Sequence, residues 1–508
     1  MCGGARNAVE CFGISKLGHG SVKRICGRGS RQAAKNAVLL GLCLRSRQKL
    51  VSFQETGDFM NDLDTLSWLA EQTDIRSLRA AVCDLNGVMR GKRIPVEQAE
   101  KVLGGGLRMP LSVVGVDVWG EDIKNSPLVF TTGDADGLCE PIGRGILPMD
   151  WTPEPTALIP LWLREENGTP FGGDPRRVLA GLVERFAAAG LHPVIAMELE
   201  FYLYDPKEDR PVAPISPVSG KRLDADAVLS IDEIDEFGAF FRDVYAACAQ
   251  QGVPADSAIA ENGVGQFEIN LLHVNDPLRA ADDAVLFKRI VKGVARKHGF
   301  AASFMAKPYG GRSGSGLHVH FSLLDGKGVN VFDNGTDQGS SVMRYAVGGL
   351  LEAMSETTLL FAPHFNSYRR LRPGTHAPSA AAWGYENRTV AIRIPGGSPQ
   401  ARRIEHRVAG ADANPYLVLA GILAGAIVGI ERQMMPADPV RGDAYTLKLK
   451  GLPPDWASAI DAFAAGSIVE DTMPVMLRDM LVACKRQELD TFAAQVTDFE
   501  YETYLDMV

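Results

Sequence analysis

Ala196-Met197-Glu198-Leu199-Glu200-Phe201-Tyr202-Leu203-Tyr204 is a run of strand-forming residues carrying two glutamates two positions apart. Side chains alternate faces along a strand, so Glu198 and Glu200 share one face while Leu199 and Phe201 share the other. Two carboxylates side by side repel and raise each other's pKa unless something positive lies between them. A divalent cation is the simplest such partner, because hard cations take oxygen ligands. The run therefore predicts a strand with one face in the core and the other at a charged site.

Three further segments follow the same pattern. Glu261-Asn262-Gly263-Val264-Gly265-Gln266-Phe267-Glu268-Ile269-Asn270 ends with Gln266, Glu268 and Asn270 alternating, and Leu317-His318-Val319-His320-Phe321 alternates histidines with apolar residues. Arg403-Ile404-Glu405-His406-Arg407 puts Arg403, Glu405 and Arg407 on one face. Together they describe several strands turning charged faces toward one space. Five glutamates (198, 200, 261, 268 and 405) with His318 could hold two or three divalent ions there, beside arginines. That composition suits phosphoryl transfer, where metal ions and cationic side chains stabilise anionic oxygens.

A chain of 508 residues is long enough for a large core and more than one domain. Its net charge of −9 argues against a general nucleic-acid or anionic-membrane binder. Residues 1–59 differ, with ten Lys/Arg against three Asp/Glu and four of the eight cysteines. They read as a disordered or mis-assigned basic extension preceding a fold that starts at Met60. The alternative is a basic arm or targeting peptide, since the stretch is poor in acids. Cys83, Cys139, Cys248 and Cys484 are widely spaced and form no CxxC pattern. They predict reduced, buried thiols in a cytoplasmic protein. The longest apolar segment, Tyr416 to Ile430, is too short for a confident membrane span and reads as a buried helix.

Patterning predicts a helix over 62–72, a strand over 77–84, a turn at Asn86-Gly87, and strands over 111–118 and 128–131. Proline-rich sequence at 148–160 puts a boundary near 155–172, dividing the chain into 60–160 and 161–508. Helices are expected over 175–189 (closed by Gly190), 231–251, 277–298, 342–360 and 415–430, with a helical tail from Trp456. Strands and helices without a βαβ rhythm indicate α+β.

The loop Gly310-Gly311-Arg312-Ser313-Gly314-Ser315-Gly316 leads into the His318 strand, and glycine lets backbone N–H groups approach an anion. Such loops are usually only flexible turns, and a lone His318 would be a packed core histidine. The junction of loop, histidine and glutamates favours a ligand role. Arg370, Arg388, Arg393, Arg403 and Arg407 interleave with Ile392, Ile394 and Ile404, whose faces should be buried. Arginine's forked donors match carboxylate and phosphate.

Asn366-Ser367-Tyr368-Arg369-Arg370-Leu371-Arg372-Pro373-Gly374 closely resembles a signature of the glutamine synthetase superfamily. So do the Gly-Ser-Gly-x-His loop at 314–318, Asn387-Arg388 with Ile392-Arg393-Ile394-Pro395, Arg403-Ile404-Glu405-x-Arg407, and Ala413-Asn414-Pro415-Tyr416-Leu417. The motifs stand in the family's order and span roughly residues 62–508. The resemblance implies a small N-terminal β-grasp domain and a large catalytic α+β domain with a curved antiparallel sheet flanked by helices. It implies a homo-oligomeric double ring, dodecamer-like, with active sites between subunits. The implied reaction uses ATP to phosphorylate the γ-carboxylate of glutamate, after which an amine displaces phosphate.

Carried over by motif, Glu200, Glu261 and Glu268 resemble one site for Mg2+ or Mn2+, and Glu198, His318 and Glu405 the other. Arg370 and Arg407 resemble the residues that hold the substrate carboxylate and the phosphoryl group. Arg388, Arg393 and Arg403 resemble the nucleotide-phosphate and transition-state clamp. His320 and Ser322 fall at nucleotide contacts, Ser313 and Gly314 at the glutamate pocket, and Asp117 at an aspartate that deprotonates ammonium across the subunit interface.

The departures are informative. His376 stands where a true glutamine synthetase has a glutamate that helps bind ammonium, which favours a larger amine. Ser313 replaces an asparagine of the glutamate pocket, and Gln400 replaces a lysine near the nucleotide. Arg90-Gly91-Lys92 and Gly133-Asp134-Ala135-Asp136-Gly137 look more like the γ-glutamylputrescine (γ-glutamylpolyamine) synthetase branch. The expected activity is therefore an ATP-dependent glutamate–amine ligase. The rivals are an ammonium-using glutamine synthetase, a ligase for another acid, and a catalytically silent structural or regulatory relative.

Overall fold

The computed structural model describes residues 62–372 and 374–508, so the expectations for residues 1–59 lie outside the described part. The first sheet has six strands: β1 (Ser77–Cys83), β2 (Met89–Pro95), β3 (Leu107–Pro110), β4 (Asp136–Pro141), β5 (Leu147–Pro148) and β6 (Ala157–Arg164). Its order is β2-β1-β6-β4-β3, with β5 on β6. The β1–β2 hairpin turns at Asn86-Gly87, as the sequence predicts. Asp84 Oδ1 accepts from the Asn86 and Val88 N–H groups at 2.9 and 2.8 Å, and Gly87 takes a φ of +74°. β6 crosses the expected boundary at residue 160, and its pairing with β1, β4 and β5 carries this sheet to Arg164.

Two strand expectations fail here. Leu111–Val114 is a 3-10 turn, and Pro127–Phe130 is a short helix with proline at its start. Leu111, Val114 and Leu128 join the core beneath the small sheet, and proline favours the first helical turn.

The second sheet has eight strands: β7 (Leu191–Tyr204), β8 (Ala255–Ala260), β9 (Gln266–Leu271), β10 (Ala301–Ser303), β11 (Leu317–Asp325), β12 (Trp383–Tyr385), β13 (Ile392–Ile394) and β14 (Ile404–His406). The order is β12-β13-β14-β11-β7-β9-β8 with β10 on β7, and every pair but β12–β13 is antiparallel. The helices expected over 175–189, 277–298, 342–360 and 415–430 form at Pro175–Ala188, Pro277–Lys297, Ser341–Phe361 and Pro415–Glu431. Three of them begin with proline after an Asp or Asn whose side chain accepts the first free N–H groups. The helix expected over 231–251 is broken at Phe237 into Ile231–Glu236 and Gly238–Gln250. The fully buried Phe237 ring packs on Phe267 and Phe300, and that fixed position sits at the break.

The core sits between the second sheet and these helices. Phe201, on the face of β7 opposite the glutamates, meets the rings of Phe240, Phe267, Phe287 and Phe304 at 5.6–6.4 Å. The apolar helix Pro415–Glu431 is buried along almost its whole length against Ser341–Phe361. No helix among the described residues is long and apolar enough to cross a membrane. Cys83, Cys139, Cys248 and Cys484 are free and buried, and burial pushes the thiols of Cys139, Cys248 and Cys484 up to about 12.

Candidate active site

β9, β7, β11 and β14 are consecutive neighbours, and their register collects the charged residues. Glu198 stands across from Asn270 and from His318, Glu200 from Glu268, and Glu405 from His320 and Arg393. Paired residues on neighbouring strands point to the same face. Among the described residues, ligand atoms of Glu198, His318 and Glu405 lie within 4.8 Å of one another, as do those of Glu200, Glu268 and His318. His318 is common to both sets. The first set is the one the family pattern implies; the second has His318 where Glu261 was expected.

Charge balance across this row is uneven. Burial raises Glu198, but the imidazoles of His318 at 3.2 Å and His320 at 2.9 Å outweigh it and hold the carboxyl well below the usual range. Burial also opposes ionisation of Glu405, yet Arg407, then His318 and His320, keep it down at about 2; Arg393 Nη1 lies 2.8 Å from its other oxygen. On the other side, burial and mutual repulsion outweigh the pull of Arg388 and Arg407. Burial, then the charge of Glu200, pushes Glu261 up to about 7. Glu268 is pushed well above the carboxylate range by burial and by Glu198, Glu200 and Glu261. Oxygen donors that repel one another, joined by an imidazole, are a donor set that fits divalent cations.

The glycine loop closes the row from below. Gly316 N–H donates to Glu200 Oε2 at 2.8 Å. A Cβ on Gly316 would meet Arg370 Nη2 at 2.8 Å and His318 Nε2 at 3.0 Å, so any larger residue would have to displace the guanidinium and the imidazole. Arg370 is buried, donates to the Val408 carbonyl at 2.7 Å, and packs its stem under Gly314. Gln266, missed by sequence reasoning as a contact, donates from one amide nitrogen to Glu200 at 3.1 Å and to the Gly314 carbonyl at 3.0 Å. Its alternation with Glu268 was the available signal.

The remaining expected residues separate. His320 bridges Glu198 and Arg403, whose Nε donates to His320 Nδ1 at 3.2 Å, and Ser322 follows on the same face. Arg388 and Arg393 line a cavity of about 1530 Å3, shared with Arg344, Arg402 and Arg441. His376 is exposed and holds a left-handed φ of +61°, uncommon for a non-glycine residue. Asp117 is not brought to the row. Its carboxylate is buried, accepts from the Trp119 and Glu121 N–H groups, and takes a bond from Gln487 at 2.9 Å, so within this chain it organises its own loop.

Acids converging from neighbouring strands of this sheet, with His318 between them and arginines on Glu405, form a donor set for divalent cations. Residues 172–504 match the glutamine synthetase catalytic domain, and the chain belongs to that family. The gamma-glutamylputrescine synthetase PuuA of Escherichia coli (strain K12) is 38% identical, over 83% of this chain and 90% of that protein. The glutamate–isopropylamine ligase of a Pseudomonas species is 31% identical, over 86% of this chain and 96% of that protein. Among solved structures, ligand-free GmaS aligns with a TM-score of 0.76 at 28% identity, covering 87% of this chain and 99% of that one.

Proposed function

We propose that the protein joins the γ-carboxylate of glutamate to an amine of the putrescine or polyamine class, using ATP and passing through γ-glutamyl phosphate. The observation that carries the reading is His318 shared by two carboxylate sets, with Arg393 and Arg407 on the outer acid, Glu405. Divalent cations held there by Glu198, Glu200, Glu261, Glu268, His318 and Glu405 would neutralise phosphate oxygens and polarise the group in transfer. The preference for an amine over ammonium is supported by His376 in place of a carboxylate and by the names of the two relatives above.

In the first step a γ-carboxylate oxygen of glutamate attacks the γ-phosphorus, the bond to the bridging oxygen breaks, and ADP leaves. Arg388 and Arg393 present guanidinium groups to the cavity beside Glu405 and suit the charge on the transferring oxygens. Arg370, buried beside Gly316, and Arg407, paired with Glu405, are the guanidinium groups we assign to the acid substrate. In the second step the lone pair of a neutral amine attacks the acyl carbon, the C–N bond forms as the acyl C–O bond to phosphate breaks, and the nitrogen loses a proton to the departing phosphate to give the amide. An alkylammonium must give up a proton first. His376, exposed on the loop after Arg370, is the imidazole we place at the amine entrance. We also infer a cytoplasmic ring of identical subunits, the assembly the family pattern implies.

The test is an amine panel with ATP, glutamate and Mg2+ or Mn2+, reading phosphate release and product mass. Putrescine or spermidine should saturate at far lower concentration than ammonium. Saturation by ammonium alone, without response to diamines, would mean a glutamine synthetase. No metal-dependent turnover with any amine would mean a silent relative.

A further inference from the structure

The cavity that holds Arg388 and Arg393 contains a second pair of arginines, Arg344 and Arg402, which the proposed reaction leaves unassigned. Its walls are tied together. Trp383 Nε1, on β12, donates to the Ala437 carbonyl at 2.7 Å, and Asn387 Nδ2 donates to the Gly442 carbonyl at 2.8 Å. Tyr385, also on β12, donates its hydroxyl to the Gln338 carbonyl at 2.8 Å. Arg402 Nη2 donates to the Thr336 carbonyl and Arg344 Nη1 to the Gly339 carbonyl, each at 3.3 Å. Three side chains from three segments thus grip one loop, 336–339. Both guanidinium groups act on the Tyr385 hydroxyl, opposing the rise that burial gives its pKa.

The charge at this end of the cavity is poorly balanced. Arg402 is 3% exposed, and among the described residues its ion pair is with Asp337 Oδ1 at 3.8 Å, on a carboxylate that stands wholly in solvent. Nε of Arg344 and of Arg402 is buried without a hydrogen-bond partner among the described residues. The other acids along the cavity, Glu386, Asp438 and Asp443, are exposed. A buried guanidinium is costly unless an anion meets it, and its fork of N–H donors matches the oxygens of a phosphate group. The pair also faces away from the acidic row. Arg402 has extended backbone, so it and Arg403 point to opposite sides. Arg403 turns to His320, and Arg402 turns to Thr336.

We propose that Arg344 and Arg402 form a second anion site, which takes a phosphate group that is not in transfer, carried by inorganic phosphate or by a small phosphate ester. Trp383, Tyr385 and the loop 336–339 frame the site, and the ligand supplies the negative charge that Arg402 lacks. The site is separate from the acidic row, so it fills while a nucleotide occupies the catalytic arginines.

The experiment is calorimetric titration of the full-length protein saturated with Mg2+ and a non-hydrolysable ATP analogue. The probes are inorganic phosphate, ribose 5-phosphate and, as a control without phosphate, acetate. One equivalent of a phosphate probe should bind and acetate should not. Arg344→Gln and Arg402→Gln should each weaken phosphate binding about tenfold, the factor for one hydrogen bond to a charged group, and leave analogue affinity within about twofold, because separate sites are independent. Tighter binding of inorganic phosphate identifies the ion itself as the ligand, and tighter binding of the ester identifies a phosphorylated metabolite. Circular dichroism checks the fold of both variants. If buried Arg402 proves necessary for folding, Arg344→Gln, half-buried on the helix Ser341–Phe361, decides alone. Phosphate excluded by the analogue, binding that Arg344→Gln does not weaken, an equal loss of analogue affinity, or no binding of either phosphate probe at millimolar concentration would overturn the proposal. If the analogue itself does not bind, phosphate binding weakened by Arg344→Gln still supports the site, and the ligase reading is what has failed.

Discussion

Gly316→Ala adds one methyl group at the point where three site residues meet. The new Cβ would lie 2.8 Å from Arg370 Nη2, 3.0 Å from His318 Nε2 and 3.5 Å from Glu200 Oε1. Ordinary contact begins near 3.4 Å, so the arginine must retreat by about 0.6 Å and the imidazole by about 0.4 Å. Misplacement of about 1 Å costs on the order of 100-fold in rate, so half that at two groups predicts a loss of roughly 10- to 100-fold in kcat/KM. Mn2+ affinity, followed by electron paramagnetic resonance, should weaken in parallel because His318 serves both ligand sets. The matched controls are Gly310→Ala and Gly311→Ala in the same loop, where a Cβ meets nothing within 4 Å. Phosphate-release kinetics on the three variants decide the matter. Wild-type kinetics and Mn2+ affinity in Gly316→Ala, or an equal loss in either control, would refute the claim that close approach at 316 aligns the site.

Two further predictions concern stability. Lys485 and Glu488 are both fully buried, and Glu488 holds Lys485 Nζ at 2.9 Å, the Val118 N–H at 2.8 Å and Asn86 Nδ2 at 3.2 Å. Lys485→Met strands that carboxylate and should cost about 3–5 kcal/mol in denaturant unfolding; a change under 1 kcal/mol would contradict the pairing. Glu405 has a folded pKa of about 2, below its unfolded value near 4.5. Its contribution is therefore present above pH 4.5, amounts to about 3 kcal/mol at ~1.4 kcal/mol per unit, and is lost as pH falls toward 2. Acid titration of the metal-free protein should show Glu405→Gln destabilised near neutrality, with the difference from wild type shrinking below pH 4.5.

Much of the site was legible because alternation is a local property. Leu199 and Phe201 are fully buried while Glu198 and Glu200 face the site, as a period of two requires. Helix starts were legible for the same reason, since Asp174, Asp276 and Asn414 cap the turn beside them. The misread segments are those where distant packing overrides local preference. Leu111–Val114 and Pro127–Phe130 turn Leu111, Val114 and Leu128 into the core of the small sheet, and Phe237 sits at the break of its helix.

Composition and spacing alone determined that glutamates, a histidine and arginines would face one way from several strands, because each strand's two faces are set by its own residues. Which acid meets which was decided only by tertiary structure. Gln266 reaches Glu200 across 66 residues and Glu488 reaches Asn86 across 402. Strand register and close approach at Gly316 join positions that no local pattern links, and it is this joining that makes His318 common to both ligand sets.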